Sequence, residues 1–109
     1  MVTSCASTNQ IRADNRNKLL SLSAGMSKID VLKTMGTKTQ TSSDGTVITN
    51  PYRTEMYRSN DKTFELMLYY TDTKKSDGAI TDDELTPLVI IDGKLDGWGW
   101  SYWDMVILK

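Results

Sequence analysis

The segment from Gly25 to Gly36 constrains this 109-residue chain most, because it marks both ends of a short helix. Ser27 can cap the first turn, and Asp30, at the third helical position, can answer it in the manner of a capping box. Gly36 suits the left-handed conformation that ends a helix. Ile29, Leu32 and Met35 recur every three residues with Val31 flanking, which predicts one apolar stripe facing a core. So short a helix cannot stand alone in water and needs a layer to lie on.

The rest of the chain supplies that layer. Tyr52 to Arg58 alternates, Ser59 to Lys62 reads as a turn, and Thr63 to Thr71 is rich in strand formers, so the two runs predict a hairpin. Leu85 to Ile91 meets Lys94 to Trp103 across Asp92-Gly93, a dipeptide suited to a tight type I′ turn. Upstream, Arg12 to Leu22 carries a possible cap at Asp14 or Asn15 and an apolar edge of Leu19, Leu20 and Leu22, which predicts a first helix. Thr37 to Gly45 reads as a polar loop and Asp72 to Glu84 as irregular. Together these predict one α+β domain over residues 15–109, with two N-terminal helices packed on a three- to four-stranded antiparallel meander.

Composition narrows the chemistry. Charge is nearly balanced, 13 Lys and Arg against 14 Asp and Glu, which provides no basic field for nucleic acid and no polybasic patch for anionic lipid. No run approaches the ~20 apolar residues of a spanning helix. The chain has no His, which removes the commonest general base and neutral metal ligand. No phosphate-cradling glycine loop, nucleophile elbow or metal-ligand spacing occurs, and no cofactor is expected.

Cys5 is the single cysteine and has no partner for an internal disulfide. Val2-Thr3-Ser4-Cys5 resembles a bacterial lipobox, with an aliphatic residue three before the Cys and small residues between. On that resemblance Cys5 is the lipidation site, residues 1–14 are a lipobox remnant and flexible tether, and most of a signal peptide has been removed. Ala6 to about Asn17 is polar apart from Ile11, the composition of a tether. Ala6 is not the Asp that retains Gram-negative lipoproteins at the inner membrane, which favours the periplasmic face of the outer membrane. The alternative is an ordinary cysteine in a polar tail.

The helical motif carries a further resemblance. Gly25, Met26, Ser27, Val31, Leu32, Met35 and Gly36, followed by a polar loop and a meander, resemble the BamE (SmpA/OmlA) group of small envelope lipoproteins. The strand region, with Asp82-Asp83-Glu84-Leu85-Thr86-Pro87 and Gly97-Trp98-Gly99-Trp100, departs from BamE and points to a sister family. Beta-lactamase-inhibitor-like domains share the helix-helix-sheet plan. The resemblance implies a non-catalytic protein that binds other envelope proteins, in outer-membrane protein assembly or envelope maintenance.

Three constellations are candidate sites. Asp77 to Leu85 looks like the second half of an EF-hand loop, with Gly78 at the sharp turn and Glu84 as bidentate ligand. The first half fails: Thr73 and Lys75 fall at ligand positions one and three, and a strand precedes where a helix is required. If an ion bound, Asp72, Asp77, Asp82, Asp83 and Glu84 are its candidates; otherwise this is an acidic, solvated loop. In a continuous strand, Trp98, Trp100 and Tyr102 share one face, while Gly97, Gly99, Ser101 and Trp103 share the other. The small face would let a helix approach closely, leaving the aromatics as an exposed binding surface extended by Tyr57, Met67 and Tyr69. The simpler alternative puts Trp98 and Trp100 in the core, since the chain has one Phe. Glu55, Glu65, Asp82, Asp83, Glu84 and Asp104 are the acids available to a carboxylate enzyme, and none sits in a catalytic motif.

The leading expectation is therefore a lipid-anchored envelope protein that binds another protein. A periplasmic inhibitor or ligand-binding module, marked by a preformed cleft against the sheet, is the first alternative. An enzyme with two converging carboxylates is the second.

Overall fold

The structure, a computed structural model, describes residues 7–42, 45–59, 61–73 and 80–107. Cys5 and Asp77 lie outside the described residues. Among the described residues the fold is α+β, with three α-helices and two antiparallel sheets. Helices α1 (Thr8–Leu19) and α2 (Lys28–Met35) come first, then a small hairpin of β1 (Thr39–Thr41) and β2 (Val47–Thr49). A four-stranded meander follows, β3 (Arg53–Ser59), β4 (Lys62–Tyr70), β5 (Leu85–Ile91) and β6 (Lys94–Trp98), and the described chain ends in α3 (Trp100–Ile107). The strands lie in sequence order, β3-β4-β5-β6.

Both predicted hairpins are present. Asp92 and Gly93 take φ of 52° and 76°, the two positive values that a type I′ turn needs. β4 and β5 are central and buried on both faces, which explains the unbroken apolar runs in place of alternation. On one face Phe64, Leu66, Leu68, Tyr70, Leu85 and Val89 pack under α3, with Ile11 of α1 and Ile48 of β2. On the other, Met67, Tyr69, Leu88, Ile90 and Leu95 pack under Val31 and Met35 of α2 and Leu22 of the linker.

Ser27 Oγ accepts the backbone N–H of Asp30 at 3.1 Å, and Gly36 ends α2 with φ of 82°. The buried stripe is rotated from the expected one. Val31 and Met35, four apart, are its centre, whereas Ile29 is 66% exposed. The linker before α2 also seals the sheet. Gly25 N–H donates to Leu95 O at 2.7 Å, Leu95 N–H to Met26 O at 2.7 Å and Lys28 N–H to Gly93 O at 2.8 Å, so the outer edge of β6 is occupied.

Three expectations are corrected. Helix α1 begins at Thr8, not near residue 14, with Ser7 and Gln10 forming a reciprocal capping box, so residues 8–14 are folded and the tether boundary at residue 15 falls inside the helix. Ile11, Arg12 and Asn15 are buried, and polar bonds dock the helix on the end of the sheet. Arg12 Nη1 donates to Tyr70 Oη at 2.7 Å, Asn15 Nδ2 to Tyr70 O at 2.8 Å and Arg16 Nη1 to Thr71 O at 2.5 Å. Second, the loop after Gly36 contains β1 and β2, with Ile48 of β2 packed in the core. Third, β6 stops at Trp98. Gly99, at φ of 99°, turns the chain, and its N–H donates to Pro87 O at 2.9 Å. Residues 100–107, expected to begin with strand, are helix.

Candidate functional site

Because α3 starts at Trp100, period-two spacing does not govern the aromatic run, and the six candidate binding residues Trp98, Trp100, Tyr102, Trp103, Tyr57 and Tyr69 do not assemble into one surface. Trp98 lies opposite Leu88 and packs with the α2-side core. Trp100 packs on the α3-side core, and its indole N–H donates to Leu85 O at 2.8 Å and Asp82 O at 3.2 Å. Trp103 is buried, with ring centroids 5.4 Å from Phe64, edge to face, and 5.2 Å from Tyr57. Tyr69 is fully buried on the α2 side and contributes to no surface. Its hydroxyl has no hydrogen-bond partner among the described residues, and burial pushes its pKa up to about 12. Of the six, Tyr57 remains substantially exposed, at 40%.

The expected use of the small face does hold at Gly97, where close approach comes from α3 itself. A Cβ there would stand 2.6 Å from the Tyr102 ring, so only glycine lets that ring lie on the strand. The Tyr102 hydroxyl donates to Asp96, the extra residue of a bulge between β5 and β6. The bond to Asp96, then burial, pushes the Tyr102 pKa up to about 12.

Between α3 and the hairpin ends of the sheet lies a cleft of about 410 Å³. Phe64 and Ile91 form its floor, Tyr102, Met105 and Val106 its helical wall, and Ser59, Lys62 and Asp96 bring polar groups to it. Met105 is 53% exposed. The volume is in the range of small-ligand sites, and polar and apolar groups share the lining about equally. The helical spacing of Trp100, Trp103 and Val106 after Gly99 was the signal for this wall.

Along the neighbouring edge runs a ladder of charge on the same face. Arg53 Nη2 donates to Asp82 Oδ1 at 2.5 Å, and Arg53 Nε stands 2.5 Å from Glu55 Oε2 as an ion pair without hydrogen-bond geometry. Tyr57 Oη donates to Glu55 Oε1 at 2.6 Å. The hydrogen bond that Arg53 donates to Asp82 is the main reason the Arg53 pKa rises, and the one that Tyr57 donates to Glu55 is the main reason the Tyr57 pKa rises.

The described carboxylates of the acidic loop are engaged within the chain. Asp82, Asp83 and Glu84 form a 3-10 turn in which Asp82 meets Arg53, Asp83 accepts from Thr81 Oγ1, and buried Glu84 accepts the Thr81 N–H at 2.9 Å. Among the described residues no three acids gather in a way that would hold a metal ion. Of the remaining acids, Glu65 pairs with Lys28 at 2.7 Å and Asp104 is exposed. Among the described residues no helix is long and apolar enough to cross a membrane.

The family model described as Protein of unknown function (DUF3192) matches residues 4–105, and the chain belongs to that family. No curated protein and no solved structure matches the chain.

Proposed function

We propose that this DUF3192 protein is a non-catalytic binding domain of the bacterial cell envelope, anchored by lipid at Cys5 to the periplasmic face of the outer membrane. Its cleft receives an apolar side chain of a partner envelope protein. The observation that carries the binding reading is the cleft itself: an apolar floor of Phe64 and Ile91 open beside the exposed Met105, with Lys62 and Asp96 to orient what enters. The anchor rests on the likeness of Val2-Thr3-Ser4-Cys5 to a lipobox, and the family match takes in Cys5. Two N-terminal helices before an antiparallel meander also support kinship with the BamE (SmpA/OmlA) fold, as a sister family; α3 and the β1-β2 hairpin are additions to that plan.

A second reading has specific support: a cleft of this size against a sheet equally suits a small amphipathic ligand. Photo-crosslinking from Met105 in intact cells separates the two. Under the first reading a crosslinker at Met105 yields a discrete adduct with an envelope protein, and one at exposed Asp14 does not. An adduct with a small molecule or lipid alone favours the second reading, and equal adducts from both positions reject the cleft as the site. Mass spectrometry of the native protein tests the anchor: an unmodified Cys5 ends the lipoprotein reading.

A further inference from the structure

The two edges of the sheet are treated differently. Residues 25–28 occupy the outer edge of β6, while β4 is the one strand paired with β3 among the described residues. β3 is also the most exposed strand of the sheet, and it presents Met56 at 62% and Tyr57 at 40% exposure in its middle. An open edge seven residues long is a template for another strand, and natural sheets usually blunt it.

We infer that β3 is a self-pairing edge: two copies of this chain join antiparallel along β3 about a two-fold axis through Met56, making one eight-stranded sheet. The register follows from the sequence. A two-fold axis normal to the sheet keeps each residue on its own face, so it must pass through a residue and not between residues. Only an axis through Met56 pairs all of Arg53–Ser59 with its counterpart, setting Arg53 against Ser59, Thr54 against Arg58, Glu55 against Tyr57 and Met56 against itself. No like charges stand directly opposite. An axis through Glu55 or Arg58 would oppose two like charges, which is unfavourable.

The partners also complement one another. Tyr57 already donates to Glu55 within one chain, and the pairing puts each Tyr57 beside the other copy's Glu55 as well. On the opposite face the two Met56 side chains, otherwise mostly in water, cover each other.

Sedimentation equilibrium on the Cys5→Ser chain reads the association, and directed disulfides read the register. The expected results are a concentration-dependent dimer, weakened on the order of tenfold or more by Met56→Lys, which opposes two ammonium groups at the axis, and retained by Met56→Leu. With Cys5→Ser, Met56→Cys gives a disulfide-linked dimer, because directly opposed Cβ atoms lie about 4.5–5.5 Å apart. Arg58→Cys does not, since its two copies are four residues out of register, about 13 Å apart. Met56 and Arg58 are both exposed, and circular dichroism verifies folding. A monomer at every concentration, an unchanged dimer in Met56→Lys, or crosslinking of Arg58→Cys as readily as Met56→Cys overturns the proposal.

Discussion

Replacing Gly97 with Ala adds one methyl group where the structure has room for none. The new Cβ would lie 2.6 Å from two ring carbons of Tyr102 and 2.8 Å from a third. To accommodate it, the ring must lift from the strand, pulling on α3 and on its hydroxyl bond to Asp96. Overpacking of this kind costs about 1–3 kcal/mol. Against it stands a gain of about 0.4–1 kcal/mol, because alanine restricts the unfolded chain and Gly97 has no positive φ to forbid it. In the native background Gly97→Ala should therefore destabilise by up to about 2.6 kcal/mol, the difference of these terms. In a Tyr102→Ala background the obstacle is gone and the same substitution should become neutral or stabilising. Urea unfolding of the four proteins of this cycle measures the coupling directly. An equal loss from Gly97→Ala in both backgrounds would refute the claim that Tyr102 is what demands glycine, and with it the account of how the cleft wall is seated.

Three further outcomes follow from buried polar groups. Asn50→Ala should destabilise by about 2–4 kcal/mol in thermal or urea unfolding, because it strips the buried Asn15 amide of its reciprocal bonds and Met35 O of a donor. A loss under about 0.5 kcal/mol would mean that this network is not what holds α1 to α2 and the sheet. Tyr69→Phe should leave stability unchanged or raise it by up to about 1 kcal/mol, since the phenol hydroxyl is buried without a partner among the described residues; clear destabilisation would reveal a partner. The phenols of Tyr69 and Tyr102 are raised from 10 to about 12, so the stability they contribute is complete below pH 10 and disappears as pH rises through about 12. Absorbance titration near 295 nm should show both ionising late, and Tyr69→Phe with Tyr102→Phe should flatten the loss of stability between pH 10 and 12. Unchanged slopes would contradict the assignment.

The legible and illegible parts of this fold divide by the kind of contact each element uses. Ser27 to Gly36 and the two hairpins announced themselves because their signals are local: a cap, a left-handed glycine, and a turn pair of the correct hand. Helix α1 docks through Arg12, Asn15 and Arg16, residues that read as tether composition until the Tyr70 end of the sheet is in place to receive them. Its start was nonetheless written in the Ser7 and Gln10 capping box. The α3 error has a different cause. Trp98, Trp100 and Tyr102 alternate like a strand, but Gly99 at positive φ separates them, and tertiary demand for Trp103 against Phe64 decides the helix. The β1-β2 hairpin carries so little apolar signal, Ile48 being the one buried side chain in those strands, that its strands read as polar loop. The cleft as a whole is not legible in the sequence, because it forms only where α3 packs beside residues of β3, β4, β5 and the bulge at Asp96.

If Cys5 is lipidated, the early start of α1 has a geometric consequence that a long tether would have erased. Cys5 and the helix cap at Ser7 are two residues apart, a reach of at most about 7 Å, so the domain is held against the bilayer. The N-terminal part of α1 rests on the Tyr70 end of β4, whereas the cleft is lined by Ser59, Lys62 and Phe64 at the other end. Eight residue steps along β4 separate Lys62 from Tyr70, roughly 26 Å at about 3.3 Å per step. The cleft should thus open away from the membrane, towards the periplasm. Nitroxide labels on lipidated protein in vesicles, one at Thr8→Cys and one at Lys62→Cys, test this through their collision rates with membrane-soluble oxygen and with an aqueous nickel chelate. Thr8 should report the headgroup region and Lys62 bulk water. A Lys62 label as oxygen-accessible as Thr8 would mean that the domain lies on its side, with the cleft facing lipid, and would move the expected occupant from a periplasmic partner to the bilayer itself.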